Sequence, residues 1–278
     1  MRKAISRRTA LRAGAAAIIG SGLGTSALAR GSIMQSSQAP PPELRAVKAL
    51  VFDVFGTVVD WRTSVAREVE ALAGRKKTKV DGGAFADAWR AGYAPSMNRV
   101  RTGQLPWTPL DGLHRMTLDG LLGQFGLTGL SEQEIADLNR AWHRLAPWPD
   151  SVPGLTRLKR QRIIAPLSNG NIALMTDMAK HAGLPWDCIL GAELVRHYKP
   201  DREVYQSAAD FLMLKPAEVM MVAAHLGDLK AAKSVGLRTA FVPRPLEYGP
   251  TGKPDSQADG SVDLAARDFV DLAARLGA

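Results

Sequence analysis

The chain has 278 residues, of which 46% are hydrophobic and 23% are charged. This composition is typical of a globular protein with one large domain or two smaller ones, and it excludes disordered, collagen-like and coiled-coil chains. The formal charge is +9, but five basic residues and no acidic residue lie within the first 29 positions, so a nucleic-acid partner is not implied. Cys188 is the only cysteine, which excludes an intrachain disulfide and a multi-cysteine metal site.

The first 29 residues resemble a twin-arginine export signal. An arginine pair at positions 7 and 8 precedes an uncharged stretch rich in alanine and glycine, and this stretch ends in the small-x-small pattern Ala27-Leu28-Ala29. The resemblance predicts cleavage after Ala29, transient contact with the export machinery, a periplasmic location and no stable membrane span in the mature chain. The alternative interpretation is a basic, alanine-rich tail. Residues 30–44, with three consecutive prolines, are predicted to form a flexible linker.

The elements predicted after the linker are typical of an α/β fold. An apolar run at 47–52 stops at Asp53, as a buried parallel strand does. Residues 62–146 have helical periodicity and include a capping box, Ser131-x-x-Glu134. Short apolar runs then alternate with helices, at 163–167, 188–190, 219–223 and 239–242. We therefore expect a doubly wound, Rossmann-like parallel-sheet core (45–61 and 147–278) with an all-helical cap domain (62–146) inserted after the first strand.

Polar residues follow the predicted core strands, which is where ligands bind in sheets of this type. In chain order they are Asp53, Thr57, Ser168, Asn169, Lys199, His225 and Asp228. A lysine beside a carboxylate favours the ionised form, which a carboxylate nucleophile requires. Gly56 permits a tight turn that presents backbone N–H groups beside Asp53. The pattern predicts a site in which Asp53 is the nucleophile.

Four segments, in this order and spacing, resemble the motifs of the haloacid dehalogenase superfamily: D-V-F-G-T at 53–57, S-N-G at 168–170, Y-K-P-D at 198–201 and H-L-G-D at 225–228. The resemblance covers residues 47–278. Phosphatases of the superfamily carry a second acid where this chain has Phe55, and an acid that binds Mg²⁺ where it has Ala224. Because Phe55 cannot protonate a leaving alcohol and Ala224 cannot supply an oxygen ligand to Mg²⁺, the resemblance favours a dehalogenase and implies no metal and no cofactor.

Within the superfamily the chain most resembles the metal-independent type II, or L-2-haloacid, dehalogenases. Arg90 matches their halide-binding arginine, with Arg99 and Arg101 as alternatives. The resemblance implies that Asp53 attacks the halogen-bearing carbon of a short 2-haloacid, and that water hydrolyses the resulting ester to a 2-hydroxyacid. The implied catalytic residues are Asp53, Thr57, Lys199, His225 and Asp228, and the implied substrate- and halide-binding residues are Phe55, Arg90, Ser168, Asn169 and Tyr205.

Some positions depart from that family's pattern. Ala223 and His225 replace the serine and asparagine of better-known relatives. Because imidazole titrates near neutral pH, we hypothesise that His225 is the general base for ester hydrolysis. Gly227 and the small residues at 91, 92 and 94 predict a roomier pocket. The other histidines, the tryptophans and Tyr93 are interpreted as packing groups, a minority of them facing the pocket.

Two other functions remain open at this level. One is a phosphatase or another hydrolase acting on a small carboxylate. The other is a non-catalytic protein that binds a small carboxylate, although binding alone would not require Asp53 together with Lys199. The preferred halogen, chain length and enantiomer of the substrate also stay open, as does the choice between monomer and homodimer.

Overall fold

The computed structural model describes residues 41–278. The predicted signal peptide at 1–29, and the predicted linker as far as residue 40, lie outside the described residues. The first described element is a short helix, α1 (Pro42–Arg45), whose Leu44 is buried. The fold therefore includes the last residues of the predicted linker. Within 41–278, no helix combines the length and the apolar character needed to cross a membrane.

The strands of the described residues form two sheets. In chain order they are β1 (Ala49–Phe52), β2 (Val59–Asp60), β3 (Ala146–Pro147), β4 (Ile163–Ser168), β5 (Leu190–Gly191), β6 (Val219–Ala223), β7 (Arg238–Phe241) and β8 (Leu264–Ala265). Six of them form a parallel sheet in the order β5-β4-β1-β6-β7-β8. All four residues of β1 are fully buried, because this central strand is covered on both faces.

Helices cover the sheet and form the insertion. They are α2 (Trp61–Arg75), α3 (Gly82–Ala91), α4 (Tyr93–Arg101), α5 (Leu110–Leu122), α6 (Glu132–Asn139), α7 (Ser151–Lys159), α8 (Ile172–Ala182), α9 (Ala192–Val195), α10 (Arg202–Phe211), α11 (Leu226–Ser234) and α12 (Phe269–Arg275), with 3₁₀ turns at Arg140–His143 and Pro216–Glu218. The doubly wound α/β fold class predicted above is confirmed.

The insertion lies between β2 and β3, which pair antiparallel with Val59 opposite Pro147. This pairing places the entry and the exit of the inserted segment side by side. Helices α2 to α6 and the first 3₁₀ turn make up the segment, and large aromatic side chains fill its interior. The predicted capping box is present: Ser131 Oγ accepts a hydrogen bond from Glu134 N–H, and the Glu134 carboxylate accepts one from Ser131 N–H.

Several elements differ from the sequence expectation. Strands β2, β3 and β8 were not predicted, because a two-residue strand has no readable alternation. Within the predicted helical region 62–146, Gly92 separates α3 from α4. A Cβ atom at Gly92 would overlap the side chain of Thr117 on α5, so glycine allows these helices to pack closely.

Candidate active site

The carboxyl ends of the core strands open into a pocket beneath the insertion. Asp53 follows β1, Asn169 follows β4, and His225 follows β6 at the start of α11. The pocket has a volume of about 300 Å³ and is lined by Asp53, Phe55, Arg90, Tyr93, Asn169, Lys199, Pro200, Tyr205, His225, Gly227 and Asp228. Eight of the ten residues predicted from sequence line this pocket, and Thr57 and Ser168 do not.

Asp53 is buried and accepts hydrogen bonds on both carboxylate oxygens. Its Oδ1 lies 2.9 Å from Lys199 Nζ, and its Oδ2 accepts from the Thr57 hydroxyl at 2.7 Å and lies 3.0 Å from His225 Nδ1. Burial alone would raise the pKa of Asp53, but the charge of Lys199 and the hydrogen bonds from His225 and Thr57 outweigh it and hold the pKa below its ordinary value. Asp53 is thus an ionised carboxylate at neutral pH.

Lys199 bridges two carboxylates. Its Nζ lies 2.6 Å from Asp228 Oδ2 as well as 2.9 Å from Asp53, and its backbone N–H donates to Asn169 Oδ1 at 2.7 Å. Burial opposes the charge on Lys199, but Asp228 and Asp53 together raise its pKa. Tyr205 donates its hydroxyl to the other oxygen of Asp228. This network fixes the ammonium between the two acids.

The pKa of Asp228 is raised. Burial is the largest cause, and the charge of Asp53 adds to it, while Lys199 acts in the opposite direction. Two carboxylates that share one lysine therefore differ in proton affinity, since Asp53 is the acid held ionised and Asp228 the one that binds a proton more readily. Such a division suits one group for nucleophilic attack and the other for accepting a proton.

Thr57 and Ser168 lie behind the pocket. Thr57 is fully buried, donates to Asp53 and accepts the backbone N–H of Ala224 at 2.9 Å, so it supports the nucleophile from below. Ser168 is also fully buried, and its hydroxyl accepts the N–H of Gly170 at 3.0 Å. Direct substrate binding by Ser168, as expected from the resemblance, does not fit this placement, because the hydroxyl shapes the turn after β4 instead.

Arg90 reaches the pocket from α3 in the insertion. The centre of its guanidinium group lies 3.9 Å from the ring of Tyr93 and 5.6 Å from the ring of Trp61. Its Nη1 atom is buried and has no hydrogen-bond partner among the described residues. Because a buried guanidinium N–H needs an acceptor, this atom indicates a site for an anion. Arg101, an alternative on sequence grounds, is instead engaged by Asp201 and by backbone carbonyls.

Two further features adjust the expected pocket. Tyr93 lines the site, with its hydroxyl interacting with Asn169, and the edge of the Phe55 ring packs against it. A Cβ atom at Gly227 would meet nothing within 4 Å, so the missing side chain does leave open space beside Asp228. The small residues at 91, 92 and 94 are not part of the lining, so they do not enlarge the pocket directly.

His225 is held between two carboxylates. Its Nδ1 lies 3.0 Å from Asp53 Oδ2, and its Nε2 lies 2.9 Å and 3.0 Å from the two carboxylate oxygens of Glu247. Burial lowers the pKa of His225, but the hydrogen bonds and charges of both acids raise it to about 10. Both contacts favour the imidazolium in the free enzyme. The hypothesis that His225 is the general base concerns the ester, in which Asp53 carries no charge, and it stays a prediction.

Glu247 is the site residue that the sequence reasoning missed. It is 1% exposed and lies after β7 in the segment 241–249, which as a whole also resembles the corresponding segment of the type II dehalogenases. An acidic residue in a loop carries no pattern that distinguishes a buried site group from a solvated one. The only sequence signal was its position within that resembling segment.

The comparisons with known proteins identify the family of the chain. The sequence profile of the haloacid dehalogenase-like hydrolases matches residues 47–236. The chain belongs to this family. It is 30% identical over 209 residues to (S)-2-haloacid dehalogenase 1 of Pseudomonas sp. (strain CBS-3), covering 73% of this chain and 88% of that protein. It is also 30% identical over 201 residues to the (S)-2-haloacid dehalogenase of Xanthobacter autotrophicus, covering 71% and 76% of the two chains.

Solved structures extend the similarity to three dimensions. The haloacid dehalogenase-like hydrolase described here is 52% identical to the defluorinating L-2-haloacid dehalogenase Rha0230, with a TM-score of 0.81, covering 84% of this chain and 96% of that one. It is 49% identical to the L-2-haloacid dehalogenase PA0810, with a TM-score of 0.80 and coverages of 83% and 99%. The Xanthobacter autotrophicus enzyme with chloropropionic acid covalently bound is 27% identical, with a TM-score of 0.68 and coverages of 82% and 97%.

Phosphatases of the superfamily carry acids at two positions where this chain has Phe55 and Ala224, whose side chains contain no oxygen. Phe55 lines the pocket with an aromatic ring, and Ala224 contributes its backbone N–H to Thr57. Between residues 41 and 278, no group of three or more histidine, cysteine or acidic side chains has an arrangement suited to a metal ion. The charged groups that line the pocket of this haloacid dehalogenase-like hydrolase include the carboxylates Asp53 and Asp228 and the cations Lys199 and Arg90.

Proposed function

We propose that this haloacid dehalogenase-like hydrolase converts short 2-haloacids to 2-hydroxyacids through an ester on Asp53. One observation carries the proposal: the ionised Asp53 and the unpartnered guanidinium nitrogen of Arg90 lie in the same pocket. A nucleophile and a separate anion site are what displacement of a halide requires. The names of the relatives, (S)-2- and L-2-haloacid dehalogenases, support this substrate class.

The first step is an in-line displacement at C2 of the substrate. A carboxylate oxygen of Asp53 forms a bond to C2 while the carbon–halogen bond breaks, and the halide leaves with the bonding electron pair. Arg90 stabilises the departing anion, and Lys199 keeps Asp53 ionised before the attack. This displacement inverts C2. The covalent complex of the Xanthobacter relative with chloropropionic acid supports an intermediate of this type.

The second step is hydrolysis of the ester. Water attacks the carboxyl carbon of Asp53, and the bond between that carbon and the Asp53 oxygen attached to C2 breaks, so that this oxygen leaves in the 2-hydroxyacid. Asp228, the carboxylate with the raised pKa, receives a proton from the attacking water. Neither step needs a general acid for an alcohol leaving group, which Phe55 cannot provide. Neither step needs a bound metal ion, for which Ala224 offers no oxygen ligand.

Halide release tests the proposal. Wild-type protein and Asp53→Asn are incubated with (S)- and (R)-2-chloropropionate, and with chloro-, bromo- and fluoroacetate, with EDTA present. We expect release from the (S) enantiomer that yields (R)-lactate, is unaffected by EDTA and is absent in the variant. Fluoroacetate is included because one similar structure is named as defluorinating. Phosphatase activity that needs Mg²⁺, or substrate binding without halide release, would contradict the proposal.

We also propose export of the chain by the twin-arginine route to the periplasm. The arginine pair at 7 and 8, the uncharged stretch and the Ala27-Leu28-Ala29 pattern support this. Fractionation of cells that express the wild type or an Arg7→Lys, Arg8→Lys double variant tests it, and periplasmic recovery of both would contradict it. Light scattering of the purified chain decides between monomer and homodimer.

A further inference from the structure

Glu247 is buried beside the nucleophile without lining the pocket. Its carboxylate accepts a hydrogen bond from Trp61 Nε1 at 3.2 Å and contacts His225 Nε2 with both oxygens. The Tyr248 side chain also interacts with it. A buried carboxylate is costly unless it is paired, and His225 is the cationic partner that this one contacts. The pair is thus a built part of the site.

The turn after the nucleophile makes room for this carboxylate. Gly56 has φ of +87°, a conformation that favours glycine, and a Cβ atom there would overlap the carboxylate of Glu247. The absent side chain at Gly56 therefore allows Glu247 to reach the imidazole. A residue of the D-V-F-G-T segment and a residue of the loop after β7 together define the position of His225.

His225 has both ring nitrogens committed. Nε2 contacts Glu247, and Nδ1 contacts Oδ2 of Asp53, the oxygen that also accepts the Thr57 hydroxyl. Among residues 41–278, Oδ1 of Asp53 has one hydrogen-bond donor, Lys199. The two oxygens of the nucleophile are therefore not equivalent. Oδ2 is held by two groups, Thr57 and His225, whereas Oδ1 is held by Lys199 alone among the described residues.

We propose that Glu247 is a positioning residue that holds His225 as an imidazolium, with its Nδ1–H directed at Oδ2 of Asp53. Thr57 supplies the second donor to the same oxygen. Oδ1 then attacks the substrate, and Oδ2 becomes the carbonyl oxygen of the ester. This inference rests on the proposed function and adds to it a group that stabilises the oxyanion of the second step.

The second step balances as follows. Water adds to Cγ of Asp53, the carbonyl electron pair moves onto Oδ2, and one water proton passes to Asp228. The imidazolium and the Thr57 hydroxyl share the negative charge on Oδ2. When the intermediate collapses, the Cγ–Oδ1 bond breaks, and Oδ1 leaves in the product with the proton from Asp228. The remaining water proton is released as the Asp53 carboxylate forms again.

The protonation of His225 depends on all of its charged neighbours. Asp53 and Glu247 contact the ring and favour the imidazolium, and they lie in the segments after β1 and β7. Lys199, Arg90 and Asp228 share the pocket with it, from the loop after α9, from the insertion and from α11. When Asp53 becomes an ester, its charge is lost, and Glu247 is then the acid still in contact with the ring. The importance of Glu247 is therefore greatest in the second step.

Single-turnover kinetics of Glu247→Gln test the proposal. We expect the burst of halide to stay within about threefold of the wild-type rate, while ester breakdown slows by about 10²-fold, the usual effect of losing one oxyanion donor. The ester is followed as a mass increase on the peptide that contains Asp53. The control is Asp255→Asn, which makes the same carboxylate-to-amide change at the group that caps the Leu226 N–H at 2.8 Å, one residue from His225.

A second measurement does not depend on turnover. The imidazole resonances of His225, assigned by their loss in His225→Asn, are followed with pH in the wild type and in Glu247→Gln. We expect an imidazolium at pH 8 in the wild type and a lower pKa of the ring in Glu247→Gln, in which Asp53 is the carboxylate still in contact with it. A neutral ring in the wild type, or ester breakdown in folded Glu247→Gln at the wild-type rate, would overturn the inference. Absence of halide release by the wild type would instead refute the proposed function, and the titration would still decide the charge of His225.

Discussion

The ammonium of Lys199 lies 2.9 Å from Oδ1 of Asp53, although 146 positions separate the two residues in sequence. The pair is buried, and the same ammonium also lies 2.6 Å from Oδ2 of Asp228. Because a buried carboxylate is unstable without a compensating charge, this contact determines both the ionisation of the nucleophile and part of the stability of the core.

Replacement of Lys199 by methionine would leave two buried carboxylates without their shared cation. We expect halide release to fall by at least about 10³-fold and the free energy of unfolding to fall by about 3–5 kcal/mol near neutral pH. The pKa of Asp53 is lowered in the wild type, so this stabilisation is present above the ordinary carboxylate pKa and is lost as the pH falls. The difference between the two proteins should therefore shrink in acid.

Denaturant unfolding at several pH values measures that difference. Lys230→Met is the matched control, since Lys230 is an exposed lysine that pairs with Asp259 at 3.2 Å, and we expect little change there. Equal stability of Lys199→Met and wild type at neutral pH would show that the buried pair does not stabilise the fold.

Arg90→Lys keeps the positive charge but removes the planar group that stacks on Tyr93. We expect halide release to slow by about 10²-fold, with breakdown of the ester unchanged, because the guanidinium acts on the leaving group alone. Rapid-quench measurement of halide and of esterified protein separates the two steps. Arg99→Lys, at an exposed position of the same insertion, is the control. If Arg99→Lys alone slowed halide release, the halide would bind Arg99 and not Arg90.

His143 links the insertion to the core. Its ring nitrogens lie 3.0 Å from Asp111 on α5 and 2.9 Å from Asp177 on α8. Burial lowers the pKa of His143, but the two carboxylates outweigh it and raise the pKa above the ordinary value. The contact therefore stabilises the fold fully below pH 6.5, and the stabilisation is lost as the pH rises through the raised pKa.

His143→Gln should remove this dependence. We expect the wild type to be the more stable protein in mild acid and the stability difference to decrease with rising pH. Thermal unfolding of both proteins from pH 6 to pH 9 measures it. Parallel curves over that range would mean that the histidine is neutral in the contact. His181→Gln, at an exposed position of α8, controls for the loss of any histidine.

His114 behaves in the opposite way. Its ring stacks on Trp142 with centroids 4.3 Å apart, and neither nitrogen has a partner among the residues described. Burial lowers its pKa to about 3, so the ring is neutral in the folded protein and becomes protonated on unfolding below pH 6.5. The fold therefore loses stability as the pH falls from about 6.5 towards 3.

His114→Phe should make that loss smaller. The comparison uses the slope of unfolding free energy against pH rather than its absolute value, because phenylalanine is the bulkier side chain. Denaturant unfolding between pH 4 and pH 7 measures the slope. An unchanged slope in the variant would contradict a neutral, unsolvated ring at position 114.

Much of the fold could be predicted because apolar periodicity reports burial directly. The runs at 163–167 and 219–223 are strands β4 and β6, and the capping box begins α6 where expected. The two-residue strands β2, β3 and β8 could not be predicted from the sequence, since their pairing depends on a partner far along the chain. The division of the helix at Gly92 depends on the close approach of Thr117, which no local pattern records.

The site illustrates the same limit at the level of single side chains. Ser168 ends its strand as expected, but its hydroxyl bonds to Gly170 instead of lining the pocket. The hypothesis of a basic His225 followed from the ordinary pKa of imidazole, whereas the two carboxylates that contact the ring favour its protonated form in the free protein. An intrinsic pKa is a property of the residue type, whereas its shift is a property of the surroundings.

The sequence by itself determined that Asp53, Lys199 and Asp228 would meet, because parallel strands bring their carboxyl ends to one edge of a sheet. Only the tertiary structure decided the protonation of those groups and the entry of Glu247 into the site. Glu247 reaches His225 through the space left by the missing Cβ of Gly56. The positions of the main strands follow from local patterns of hydrophobicity, but proton affinity depends on charges a few ångströms away that folding brings from distant parts of the chain.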